Sequence, residues 1–225
     1  MNDKNFAKKS EFKNQSDNGW SAEFLDWKGP EIDLEFEFDR SNWERKPTTN
    51  LNLEKYHQMI DSGILNNRHV ELLQGKIIEM SPESPFHADA SDEADEYLKE
   101  MLGKRAKVRV GKPITLSDNN EPEPDLAIVK RQRYTNAHPS SEDIFWLIEY
   151  SNSSLEKDLK VKSKIYATAG IPEYWVVNLA LKVLIVFRYP ENGNYQTEVE
   201  YSDRLISPLA FQNLDLTCDR IIGNF

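Results

Sequence analysis

The chain of 225 residues is 39% hydrophobic and 11% aromatic, enough to bury one sizeable core plus an appendage. No run approaches the ~18 apolar residues of a membrane span, and the N-terminal MNDKNFAKKSEFKNQ lacks the apolar stretch of a signal peptide, so a cytoplasmic protein is expected. The one cysteine, Cys218, excludes an intrachain disulfide and a cysteine-built zinc site. The net charge of −10 argues against strong non-specific binding to phosphate backbones, which depends on Lys and Arg.

Residues 1–48 are polar and show no sustained period. They carry a net charge of −3, which leaves −7 on the remainder, so the acidity is not confined to this arm. We expect a partly disordered N-terminal arm over 1–48 and one folded domain over 49–225. Within the arm, Ile32–Phe38 alternates apolar and acidic residues as an edge strand or docking segment would. From Asn50 onward the punctuation is clearer. Asn52 can cap a short helix carrying Leu53, Tyr56, Ile60 and Leu65 on one side. VELLQGKIIEM, Val70–Met80, predicts a hairpin turning at Gln74-Gly75. Ser84–Leu102 has Ala90, Ala94, Tyr97, Leu98 and Met101 at helical spacing, with Gly103 as its stop. Lys107–Leu116 predicts a strand interrupted at Gly111-Lys112-Pro113. Asp125–Val129 is a short apolar strand entered through EPEP, and IFWLIEY, Ile144–Tyr150, is continuous enough to be a central strand. A helix from about Ser154 to Ala169, strands over Tyr174–Asn178 and Lys182–Tyr189, and an alternating Tyr195–Tyr201 complete the order. The pattern predicts an α/β (α+β) domain with a mixed sheet and a strand–helix–strand crossover at its centre.

Three polar residues stand where apolar ones belong. Glu149 lies inside IFWLIEY, and a buried carboxylate needs compensation. At ~100° per residue from Leu155, Lys162 lies at ~−20°, between Leu159 at ~40°, Tyr166 at ~20° and Ala169 at ~−40°. It is therefore centred on the apolar stripe, whereas Lys157, Lys160 and Lys164 fall on the opposite side. A snorkelling lysine, or one paired with Asp158 a turn earlier, would explain the same position structurally. Asp125 opens an apolar strand after a proline; alone it reads as a turn residue, though strand ends are also where ligands bind in open α/β sheets. Glu71 shares a face with Leu73 before the hairpin; taken singly it reads as solvent-facing. Together, two carboxylates at adjacent strand ends supply hard oxygen ligands for Mg²⁺, and a nearby lysine can orient or help deprotonate a water and stabilise charge on phosphate.

HVELLQGKIIEMSPESPFH, EPEPDLAIV, LIEYSNSS and above all DLKVKSKIYATAGIPEYWVVN resemble the Uma-two family, a branch of the PD-(D/E)XK nuclease superfamily. The likeness runs from about Leu53 to Tyr189. It implies a restriction-endonuclease-like fold, a mixed central sheet flanked by helices. Under this resemblance Asp125 matches the PD aspartate, Glu149 the acidic position of the next core strand, Lys162 the lysine of the family's helix, and Glu71 the glutamate of its ELxxG segment. Two departures are visible. Ser151 stands where the superfamily's ExK element has lysine, and Asn152 stands where the family often has proline. His87 also lies at a recurrent family position, but we read it as a polar contact at a helix start.

The expectation is a Mg²⁺-dependent endonuclease acting on DNA, with Mn²⁺ as a substitute ion. Asp125 and Glu149 would be its ligands, Lys162 would act on the attacking water, and Glu71 would be accessory. A homodimer, one site per strand, goes with the resemblance. Two alternatives stand beside it. One is a non-catalytic protein of the same fold used for partner binding or dimerisation, favoured by the charge and by the lack of any recognisable DNA-reading motif. The other takes Glu149 and Lys162 as a buried salt bridge of little net stability and nothing more.

Overall fold

The computed structural model describes residues 50–223. The expected strand over Ile32–Phe38 and the domain boundary after residue 48 lie outside the described residues.

Helix α1 (Leu53–Asp61) is capped by Asn52, whose side chain accepts from the Lys55 amide at 3.0 Å. Its buried face is Tyr56 and Met59, whereas Ile60 is exposed. This differs from the expected stripe because the Tyr56 hydroxyl donates to the Val70 carbonyl and sets the helix rotation. Strands β1 (Val70–Leu73) and β2 (Lys76–Glu79) form the expected hairpin. Its two-residue turn has φ of 51° at Gln74 and 72° at Gly75, the left-handed pair that matches strand twist. At Gly75 a Cβ would also sit 2.9 Å from the Leu51 carbonyl oxygen, so the position excludes a side chain twice over. Helix α2 (Pro85–Leu102) is capped by Ser84 and carries proline in its first turn, where no amide partner is lost.

A six-stranded sheet follows, in the order β3 (Lys107–Val110), β4 (Leu126–Val129), β5 (Ile144–Ser151), β6 (Glu173–Asn178), β7 (Val183–Glu191) and β8 (Asn194–Tyr201). Only β5 and β6 run parallel; every other pair is antiparallel. The sheet is thus mixed, with its crossover where the sequence predicts one. β3 is shorter than expected, because Gly111 turns out of the strand at φ 49° and Pro113 has no amide to give the ladder. The chain beyond it turns back, and Leu72 of β1 bridges Glu121.

The crossover between β5 and β6 is a helix in three pieces: α3 (Leu155–Lys157), a π-helical turn (Asp158–Lys162) and α4 (Ser163–Thr168). The Ser163 amide bonds the Asp158 carbonyl, five residues back. A short hairpin of β9 (Leu205–Ile206) and β10 (Leu216–Thr217) leads into α5 (Cys218–Ile222).

Alternation along β5 sends its side chains to two cores. Trp146, Ile148 and Tyr150 pack with Ala90, Ala94, Tyr97 and Leu98 of α2 and with Ile221 of α5. Leu147 packs on the other face with Ile165 and Tyr166 of α4 and Leu73 of the hairpin. Both faces of β5 are covered, which is why its sequence is apolar apart from Glu149 and the terminal Ser151. Among the described residues no helix is long and apolar enough to cross a membrane.

Candidate active site

Glu149 projects from β5 to the face that carries Leu147, and only 4% of it is exposed. The helix crossing that face answers it. Lys162 Nζ lies 2.8 Å from Glu149 Oε1, and the Tyr166 hydroxyl donates to the same oxygen at 2.7 Å. Glu71 of β1 is buried as well, and its Oε2 lies 3.2 Å from Lys162 Nζ. Lys157 Nζ holds Glu71 Oε1 at 3.0 Å, and the Glu123 amide donates to Oε2 at 3.3 Å. Two strands and a helix therefore meet in a cluster of two buried glutamates and two lysines, with Lys157 at its partly exposed rim.

This arrangement corrects one sequence expectation, the place of Lys157, and rules out two readings weighed beside the others, a solvent-facing Glu71 and an Asp158–Lys162 pair. Glu71 does not face solvent; the hairpin is laid on the sheet, and Glu71 points inward at Lys162. Lys157 does not belong to a solvated face opposite Lys162. The two lysines are five residues apart, and i→i+5 bonding in a π turn brings such positions nearly into line, so both reach Glu71. Asp158 does not pair with Lys162. It accepts from the Ser151 hydroxyl at 2.6 Å, while its backbone carbonyl takes the Tyr174 hydroxyl at 3.3 Å. Ser151 thus ties the end of β5 to the helix that carries Lys162.

Asp125 comes from the turn before β4. The β4–β5 register pairs Leu126 with Ile148, and one further antiparallel step sets Asp125 opposite Glu149. Asp125 Oδ2 accepts from the Tyr150 amide at 2.6 Å, which fixes the carboxylate at the strand end. His87, in the first turn of α2, reaches Asp125 from the other layer: Nε2 stands 3.2 Å from Oδ2. The pair is close but not aligned as a hydrogen bond, and Nε2 is buried without a hydrogen-bond partner. The acceptor atoms of Glu83, His87 and Asp125 all lie within 4.8 Å of one another.

Electrostatics separates the two buried glutamates. Burial pushes the Glu149 carboxyl up to about 8; Lys162 opposes the shift, and Asp125, Asp158 and Glu71 reinforce it. Burial would raise Glu71 too, but Lys162 and then Lys157 outweigh it, and its carboxyl falls below the usual value. Burial disfavours the Lys162 ammonium, yet Glu149, Glu71 and Asp158 overcome it and hold the ammonium charged. His87 is raised: burial acts against the imidazolium, and Asp125, then Glu83 and Glu149, outweigh it.

The donor set suits a divalent cation. Both side-chain donors to Glu149 converge on Oε1, and the backbone donor to Asp125 engages Oδ2 alone. Hard carboxylate oxygens are what Mg²⁺ and Mn²⁺ take.

The profile of one protein family, described as Uma2, putative restriction endonuclease, matches residues 53–219 of the chain. That is more than half of the sequence. The chain belongs to the Uma2 family. Among solved structures, this Uma2 protein is similar to the crystal structure of a putative nuclease belonging to DUF820 from Anabaena variabilis ATCC 29413. The two share 17% identity with a TM-score of 0.57, over 70% of this chain and 92% of that one. This likeness establishes the fold: a mixed sheet flanked by helices, of restriction-endonuclease type. The type IIG restriction endonuclease BpuSI is also similar, at 14% identity over 52% of this chain and 14% of that one, but its TM-score of 0.35 carries no argument. No curated protein matches the chain. Family and fold together support a nuclease of restriction-endonuclease type.

Sequence reasoning missed Tyr166, Lys157, Glu83 and the place of His87. Tyr166 was visible only as part of an apolar stripe, because its ring packs and its hydroxyl alone reaches Glu149. His87 could be placed at a helix start from Ser84-Pro85. Nothing in the local sequence says that this helix start abuts Asp125.

Proposed function

We propose that this Uma2 protein is a divalent-cation-dependent endonuclease that hydrolyses phosphodiester bonds in DNA. The observation that carries the reading is the convergence of Lys162 on Glu149, with Asp125 opposite on the neighbouring strand end. Asp125 and Glu149 would hold the ion, Mg²⁺ or Mn²⁺ in its place. Bound there, such an ion lowers the pKa of its water and offsets charge on the leaving oxygen.

The chain's own groups do the rest. Lys162 is held as an ammonium and therefore donates; it does not take a proton from water. Two of its three N–H donors go to Glu149 and Glu71, which leaves one to orient a water or a phosphate oxygen. Tyr166 and Lys162 together fix the Glu149 carboxylate in orientation. Glu71 neutralises the lysine from behind and keeps it in place. In hydrolysis the water oxygen bonds to phosphorus and its proton passes to solvent, while the P–O ester bond breaks and the leaving oxygen takes a proton from solvent. Acting on both strands of a duplex calls for two such sites, which a homodimer supplies.

The test is cleavage of plasmid and oligonucleotide DNA with Mg²⁺ or Mn²⁺. The wild type should cut, and Asp125→Ala should fall to background. Equal product from both proteins would overturn the reading. Asp125 is not fully buried, so the variant should fold, and circular dichroism verifies this.

A further inference from the structure

We propose that His87 and Glu83 complete the cation site at Asp125, so that the ion is held by a mixed nitrogen–oxygen set and Mn²⁺ is preferred to Mg²⁺. This deepens the reading above and rests on it for the site's location, not for its chemistry.

Four observations converge. The ligand atoms of Glu83, His87 and Asp125 lie within 4.8 Å of one another, close enough to share one ion. His87 Nε2 is buried and has no hydrogen-bond partner, although Asp125 Oδ2 is 3.2 Å away. A buried ring nitrogen without an aligned hydrogen bond is under-satisfied, and a metal ion would satisfy it directly. The Ser84 side chain accepts from the His87 amide at 3.2 Å, and Pro85 stiffens the same turn, so the backbone delivering the imidazole is fixed before any ion arrives. The His87 ring also lies 5.8 Å from the Tyr150 ring, in the strand whose amide holds Asp125.

The donor types select the ion. Mg²⁺ keeps its waters and takes carboxylate oxygens, whereas imidazole nitrogen suits ions further along the transition series. With Glu149, three carboxylates and one imidazole still leave positions of an octahedral ion open for water or phosphate, as hydrolytic sites require. The helix dipole of α2 opposes a cation at its N-terminus, and the negative charges of Glu83, Asp125 and Glu149 outweigh it there. His87 is an ion ligand in its neutral form, so binding should release a proton.

The experiment is Mn²⁺ titration of the full chain by calorimetry, with pulsed electron paramagnetic resonance of the bound ion. The wild type should bind Mn²⁺ more tightly than Mg²⁺ and show nitrogen hyperfine coupling. His87→Ala should lose that coupling, weaken Mn²⁺ binding by about tenfold or more, and narrow the preference over Mg²⁺. His87→Gln, which offers an oxygen, should restore part of the affinity without the coupling. Glu83→Gln should weaken binding and keep the coupling. Mn²⁺ bound without nitrogen coupling, or with the same affinity in His87→Ala, would overturn the proposal. Failure of the nuclease reading looks different: nitrogen-coupled Mn²⁺ with no DNA cut. Asp125-dependent cleavage without nitrogen coupling would spare that reading and sink this one.

Discussion

Glu149 shows what burial does to one carboxylate beside one lysine. Water is excluded, so the charged form loses hydration that Lys162 and Tyr166 replace only in part, and the carboxyl rises to about 8. The sign of the consequence follows from linkage. Unfolded, Glu149 releases its proton near the ordinary glutamate value; folded, it keeps the proton up to about pH 8. Its contribution to stability is therefore complete below the unfolded pKa and is lost as pH rises toward 8. His87 is raised as well and acts in the same direction over the upper part of that window. Glu71 is lowered, so its contribution disappears only as the solution becomes acid, outside the window. We expect the thermal midpoint of the metal-free protein to fall between about pH 5 and about pH 8. Glu149→Gln should flatten most of that slope and leave the parts due to His87 and to Glu173, whose carboxyl burial also raises, against an opposing part from His138, whose imidazolium burial disfavours. A midpoint that rises over this range, or an unchanged slope in the variant, would contradict the assignment. Glu149 was conspicuous in the sequence because an acid inside an apolar run must be compensated. Lys162 was legible as its partner from helical phase; Tyr166 was not, since only its hydroxyl is polar and the ring reads as core.

Among the elements, the hairpin and the interrupted helix carry the most information. The hairpin is a positioning device. Its turn docks on Leu51, whose amide donates to the Gly75 carbonyl at 2.9 Å, while the Gly75 amide bonds Asn119 at 2.8 Å. This seating lays β1 against the sheet and aims Glu71 at Lys162. Gly75→Ala should therefore cost about 1–3 kcal/mol from the left-handed backbone, with the contact to Leu51 adding to it. A urea titration reads the loss, and a midpoint equal to the wild type would refute the account. The turn itself could be read from Gln74-Gly75 between apolar runs. The interrupted helix could be read only in part: regular helical phase put Lys162 inward, and Lys162 is inward. The same phase misplaced Lys157, because a π turn leaves no mark in an amphipathic pattern. With the π turn in place, two lysines answer one buried glutamate.

For the whole molecule, net charge sets the terms on which DNA can be met. At −10, long-range attraction for phosphate is absent, and affinity must come from the site and its ion. We expect fluorescence anisotropy to detect no binding of a short duplex in chelator and measurable binding once Mn²⁺ is added. Tight, salt-sensitive binding in chelator would mean that a basic surface outside the site dominates. The fold itself makes the site by layering. β5 is sandwiched, with Glu149 on one face and Tyr150 on the other, and the strand end where Asp125 sits is open to both. That is how α2 and the π-interrupted helix, on opposite faces, can address a single position.

By itself the sequence determined the class of fold and most of its elements, because periodicity, caps and turn residues are local signals that read the same in any context. It also marked Glu149 and Lys162, because a charge inside an apolar pattern is a local contradiction. Tertiary structure decided what those charges meet. The inward turn of Glu71, the reach of Lys157 and the approach of His87 to Asp125 all join segments far apart in the chain. Such contacts depend on how the layers stack, and stacking is set by the sum of buried area and satisfied polar groups over the whole domain.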